Sequence, residues 1–120
     1  MLFVEQSIQL GLDYYRRLRK NEEFFAKAYE IAKEIKKRAK EVFGDCDVFI
    51  VGSFAQGEHT LSSDLDLLIV SSKIPSRLKF EEYSKFVKLL TNDDRVNIHL
   101  LSKESFEEVK KFYEPRIEIS

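Results

Sequence analysis

Gly52-Ser53 and Asp64-Leu65-Asp66, separated by ten residues, are the parts of this 120-residue chain whose types and spacing suit chemistry. Glycine lets backbone approach a ligand closely. The serine after it offers a hydroxyl and an N–H, and if it opens a helical turn, the free amides there favour an anion. Asp64 and Asp66 lie two residues apart. On a strand such positions share a face, with backbones roughly 7 Å apart, so both carboxylates point the same way. Two carboxylates so placed can share one or two Mg²⁺ ions, which would meet phosphates held at Gly52 and Ser53.

Strands must position these residues. Residues 48–51 are β-branched or aromatic, form a short apolar run and stop at glycine, which predicts a buried strand over 47–52. A second strand is expected over 64–71. The eleven residues between them barely allow a helical crossover, so an adjacent antiparallel pair is expected. Upstream, Val4, Ile8, Leu12, Tyr15 and Leu18 form one stripe of a helix over 3–19, weakened slightly by Gly11. Asn21 is a candidate N-cap for a second helix reaching Phe43, with Phe24, Phe25, Ala28, Ile31, Ala32, Ile35, Ala39 and Val42 inward and Gly44 as terminator. The two helices form a hairpin or one long kinked helix. Downstream, a loop around Pro75 leads to a third helix over 79–91, with Phe80, Tyr83, Phe86, Val87 and Leu90 inward. Residues 92–94 make a turn, 95–101 alternate as a third strand, and Ser102 caps a fourth helix bearing Phe106, Val109 and Phe112. Pro115 ends it, and 116–120 are a tail or edge strand.

The pattern G-S-x10-D-x-D resembles the signature of the polymerase-beta-like nucleotidyltransferases, and the chain's size resembles their minimal, single-domain branch. The resemblance is tight over 48–70 and loose to about Leu101. Either half of the motif alone is weak; both halves, each at the proper end of an apolar strand, are far more specific. The resemblance implies an α+β fold: a small mixed β-sheet of about three to four strands packed with helices, here preceded by two N-terminal helices. It implies one nucleotidyltransferase-like domain over 1–120, with a helical segment (1–44), a catalytic core (45–101) and a C-terminal helix and tail (102–120). It also implies a reaction: a nucleoside monophosphate passes from a nucleoside triphosphate to a hydroxyl, with Mg²⁺ or Mn²⁺ as cofactor. Asp64 and Asp66 would bind metal, and Gly52, Ser53 and Gln56 would hold phosphate.

The chain departs from the family pattern twice. The family's third carboxylate stands in a strand written approximately R-V-D-I-x-L. Here the strand reads Arg95-Val96-Asn97-Ile98-His99-Leu100, so the third catalytic position holds Asn97. An amide oxygen can ligate a metal, but it adds no charge and accepts no proton. His99 shares the face of Asn97 on a regular strand. It can serve as base or ligand, although a half-exposed strand histidine is the plainer reading. The second departure is Gln56, where relatives often have an arginine: it can hydrogen-bond phosphate without neutralising it. Glu58 and His59 read as solvent-facing loop residues and Phe54 as a core anchor. Ser62 and Ser63 are candidates to brace Asp64. Tyr14, Tyr15 and Tyr29 can stack a base but fit core stripes better.

Composition bounds the rest. Ten Phe and 43% hydrophobic residues supply a core for one domain. No run of apolar residues is long enough to span a membrane, and the N-terminus does not read as a signal peptide. One cysteine, Cys46, excludes an internal disulfide and fits a reducing, cytoplasmic interior. Two distant histidines show no zinc site. Abundant Lys and Glu lean towards a thermophile. Residues 1–44 hold ten Lys/Arg against seven Asp/Glu, and 45–120 hold ten against fourteen. The basic half can attract nucleic acid, although solvated helices explain it more simply. The resemblance leaves no residues for a substrate-recognition domain. Acceptor recognition would then come from a separate helical partner of the HEPN type or from a second copy of this chain. It also offers an alternative function: a catalytically weak or inactive nucleotide-binding regulator, antitoxin-like, working with such a partner.

Overall fold

The computed structural model describes residues 2–59 and 63–120, and side chains from residue 22 onward within those ranges. The first element is one helix, α1 (Leu2–Phe43), of 42 residues. At 1.5 Å per residue it is about 63 Å long, close to the molecule's 65 Å long dimension. Of the two arrangements expected, a hairpin or one long helix, the chain adopts the long helix, and the start expected at Asn21 is absent. Asn costs a helix interior only a few tenths of a kcal/mol more than its neighbours and leaves its N–H in place, whereas proline would remove it. The capping geometry loses to continued backbone hydrogen bonds. The stripe expected at Val4, Ile8, Leu12, Tyr15 and Leu18, and the readings of Tyr14 and Tyr15, fall outside the described side chains, and Ser62 lies outside the described residues.

Helix α1 ends where expected: Gly44 takes φ +73° and its N–H reaches the Lys40 carbonyl at 2.9 Å. The chain then enters β1 (Asp47–Val51), a five-residue helix α2 (Gly52–Gln56), and β2 (Leu65–Val70). After α3 (Phe80–Leu90) come β3 (Val96–Leu101), α4 (Lys103–Val109), a 3₁₀ turn (Lys110–Tyr113) and β4 (Ile117–Glu118). The sheet order is β3-β2-β1-β4. Strands β1 and β2 pair antiparallel, as their short connection required; β2 and β3 are parallel, joined across α3; β4 is the short edge strand expected near the C-terminus.

The sheet has two unlike faces. On one, Val48, Ile50, Leu65, Leu67, Ile69, Val96 and Ile98 pack with Ala28, Ala32, Ile35, Ala39 and Phe43 of α1 and with Leu90 of α3. The alanines let the helix come close, and the Phe43 ring meets Phe86 at 5.0 Å. On the other face, Phe49, Val51, Leu68 and Val70 meet Leu101, Phe106 and Tyr113, which cover only part of it. Ser102 caps α4, its hydroxyl accepting from the Ser105 N–H at 3.1 Å. The Ile119 N–H donates to the Val48 carbonyl, and Lys36 Nζ donates to the Ile119 carbonyl, so the tail is tied to the core.

Two phenylalanines break the expected helical patterns. Phe80, expected inward, is 79% exposed because it occupies the first position of α3, where no element lies beneath the stripe. Phe112 is 85% exposed: α4 stops at Val109, and the tighter 3₁₀ turn rotates the next residues off its face. Phe43→Ala is expected to cost about 3–5 kcal/mol of unfolding free energy in urea titration. Phe112→Ala is expected to change it by less than about 0.5 kcal/mol.

Candidate functional site

The turn from β1 into α2 sets the site. Gly52 has φ +70°, a left-handed conformation that side chains resist. A Cβ placed there would lie 2.4 Å from Asp66 Oδ2 and 3.2 Å from Asp66 Cγ. The backbone at Gly52 is thus in direct contact with the carboxylate. This follows from the register, in which Val51 faces Asp66 across the antiparallel pair.

Helix α2 is held by three features. Its last turn closes on Gly57 (φ +73°), whose N–H reaches the Phe54 carbonyl at 3.3 Å, while the Glu58 N–H reaches the Ser53 carbonyl at 2.9 Å. That double bond pattern satisfies two end carbonyls. Phe54 is buried, as expected of an anchor. His59, expected to face solvent, is also buried: its ring stacks on Phe54 at 4.4 Å with an 8° interplanar angle and lies 6.0 Å from Phe25 of α1. This clamp was not visible in the sequence, where only the five-residue spacing of Phe54 and His59 hinted at it. Ser53 is half-buried in the first turn of α2, and Gln56 stands exposed in its last.

The parallel pair brings in the third position. Asp66 aligns with Asn97, and Asn97 Nδ2 donates to Asp66 Oδ1 at 3.1 Å. Alternation along β3 buries Val96 and Ile98 and exposes Asn97 and His99, as the sequence required. Asp64 is exposed in the segment leading into β2. Gly52, Asp66 and Asn97 are therefore in mutual contact through Asp66, with Ser53 and Asp64 as chain neighbours, while Gln56 lies at the other end of α2. An open cleft of about 560 Å³ runs along this edge, lined by Asp66, Asn97, His99, Tyr83 and Tyr113 among others. His99 Nδ1 faces the Tyr113 hydroxyl at 3.5 Å, with the rings edge to face. Tyr83 donates to the Ile98 carbonyl, and burial pushes its hydroxyl above the usual range, so it stays protonated near neutral pH. Ser63 lies elsewhere, in a cleft beside Phe24, Phe54 and Leu65. Tyr29 packs against the core, and its hydroxyl meets Ser120 Oγ at 3.3 Å.

The donor set suits a hard divalent cation. Asp66, bonded to the Asn97 amide, and the exposed Asp64 two residues before it carry hard oxygen donors of the kind such an ion takes. Among the described residues no three His, Cys, Asp or Glu side chains converge. The residues present fit a cation that completes its shell with phosphate oxygens and water.

The small mixed sheet packed with helices is a nucleotidyltransferase-like fold. Residues 30–119 match the model of the nucleotidyltransferase domain family, and the chain belongs to that family. It is 32% identical over 76 residues to MJ1215 of Methanocaldococcus jannaschii, provisionally named a protein adenylyltransferase, covering 63% of this chain and 85% of that one. It is 38% identical over 55 residues to the protein adenylyltransferase MntA of Thermococcus cleftensis, covering 46% of this chain and 56% of the relative, so that match spans little more than half the relative's length. In fold it is similar to a Sulfolobus solfataricus protein, provisionally named a nucleotidyltransferase, whose crystal structure was determined at 1.40 Å: TM-score 0.66, 22% identity, 82% of this chain and 84% of that one. The chain is a transferase of the family that draws on nucleoside triphosphates and generally uses divalent metals. Among the described residues no helix is long and apolar enough to cross a membrane.

Gly52→Ala is expected to add about 1–2 kcal/mol of backbone strain, lowering the unfolding midpoint, and to turn the Asp66 carboxylate away from β1. A crystal structure of the variant with Asp66 unmoved would contradict this account of the turn.

Proposed function

We propose that this chain transfers a nucleoside monophosphate, adenylate being the leading candidate, from the triphosphate to a hydroxyl on a protein acceptor. The observation that carries the reading is the contact of Gly52 with Asp66, whose side chain lines the open cleft. The protein acceptor is suggested by the names of the two relatives, both protein adenylyltransferases. In this reading residues 1–120 act as one unit. Gly52 and Ser53 present backbone amides and a hydroxyl to the phosphates, and Gln56 adds a neutral hydrogen bond. Asp64 and Asp66 hold the divalent cation, Mg²⁺ or Mn²⁺. When bound, the cation neutralises phosphate charge and supports departure of pyrophosphate.

In the transfer, the acceptor oxygen bonds to the α-phosphorus, the bond to the bridging oxygen breaks, and pyrophosphate leaves with that electron pair. Asn97 cannot take the acceptor's proton, so the open cleft passes it to water. Acceptor recognition falls to a second chain, a HEPN-type helical protein or another copy of this one.

A second reading has its own observation. The amide of Asn97 faces Asp66 where a third carboxylate would stand, which favours a weak or inactive nucleotide-binding regulator, antitoxin-like, acting on its helical partner. Asn97→Asp separates the readings: a large gain in transfer marks an enzyme with a weakened site, and no gain favours the regulator.

The first experiment is calorimetric titration of each nucleoside triphosphate with and without Mg²⁺, using Asp64→Asn and Asp66→Ala as controls. Mg²⁺-dependent binding is expected for the native chain and is expected to vanish in Asp66→Ala, together with transfer. Unchanged affinity in that variant would sink the assignment.

A further inference from the structure

We infer that Asn97 makes this a one-cation site: with a nucleoside triphosphate bound, the cleft takes a single divalent ion, and the Asn97 amide fills the place of a second. The inference rests on the reading that Asp64 and Asp66 hold metal. Its first support is the hydrogen bond from Asn97 Nδ2 to Asp66 Oδ1, 3.1 Å long. An ionised carboxylate only accepts, so the group that Asn97 turns towards it must be its NH₂; the amide oxygen would be repelled. The register keeps the two side chains adjacent, because Asp66 and Asn97 are partners in the parallel pair.

The second support is the environment of the other oxygen. Asp66 Oδ2 lies against the Gly52 backbone, close enough that a Cβ there would sit 2.4 Å away. Oδ1 accepts a hydrogen bond from Asn97, and Oδ2 is flanked by backbone, so both oxygens are crowded. A single ion needs only one free lone pair on Asp66, whereas a second on the same carboxylate would compete with the Asn97 N–H on the side of Oδ1.

The third support is charge. No third acidic, histidine or cysteine side chain joins the pair among the described residues. His99, next along the exposed face, faces the Tyr113 hydroxyl. A second dication would therefore be held by phosphate and water alone. Asn97 acts here as a positioning residue: its N–H orients the Asp66 carboxylate.

The test counts ions. Protein is dialysed to equilibrium against Mn²⁺ with a saturating non-hydrolysable triphosphate analogue, and protein-bound Mn²⁺ is read by electron paramagnetic resonance against analogue alone. The native chain is expected to retain one Mn²⁺ per complex and Asn97→Asp two, while Asn97→Ala retains no more than one. Two ions on the native chain, or no second ion in Asn97→Asp, would overturn the inference while leaving the metal role of the aspartates intact. Native protein that retains no more Mn²⁺ than Asp66→Ala would instead overturn the underlying reading. Asn97 is exposed, so Asn97→Ala is expected to keep the native melting transition, and Asn97→Asp to remain folded with a lower transition that Mn²⁺ restores, which circular dichroism checks.

Discussion

The contact between the Gly52 backbone and the Asp66 carboxylate is the constraint on which this structure turns. It requires a residue without a side chain in a left-handed conformation, at the point where β1 becomes α2. It also requires Val51 and Asp66 to be partners in an antiparallel pair. Slipping that register by one residue would send Asp66 into the core and Leu65 or Leu67 to the cleft. The apolar alternation of both strands forbids the slip, since Ile50 and Leu67 are fully buried.

Everything around the contact serves to fix it. The Phe54–His59 stack fastens the short helix after Gly52 against α1, so the amides of that turn hold their place without help from a ligand. The parallel pairing of β2 with β3, reached across α3, puts Asn97 beside Asp66. The two sheet faces divide the labour. One is closed by α1 and α3 and holds the larger core. The other is only partly covered by α4 and the turn after it, and the polar residues of β2 and β3 emerge there. A buried sheet face gives stability, and a half-open one gives access. The same alternation of side chains supplies both.

Asn97 changes the character of the cluster. A third carboxylate would repel Asp66 until cations screened the pair. An amide instead donates to Asp66 and needs no ion to be stable next to it. The two side chains are consequently paired without any ion, and the pair carries one negative charge fewer than two carboxylates would.

Much of this was legible in the chain. The strands announced themselves through short β-branched runs, and the antiparallel pairing of β1 and β2 followed from a connection too short to cross over. Ser102 as a cap, Gly44 as a stop and the alternation of Val96 to His99 were likewise local facts of residue type and spacing. So was the family, because G-S-x10-D-x-D encodes a turn and a strand face within two dozen residues. Tertiary structure decided what local pattern could not. Asn21 looked like a helix start, yet the helix runs through it, because a weak cap cannot outweigh an unbroken backbone ladder. Phe80 and Phe112 fit apolar stripes, yet lie exposed where no partner element reaches them. His59 looked like a loop residue, yet is buried, because its neighbours Phe25 and Phe54 come from elements the sequence cannot bring together. The sequence alone determined which residues share a face. Only the folded sheet, by pairing β2 with β3, decided that the amide of Asn97 would spend its N–H on Asp66.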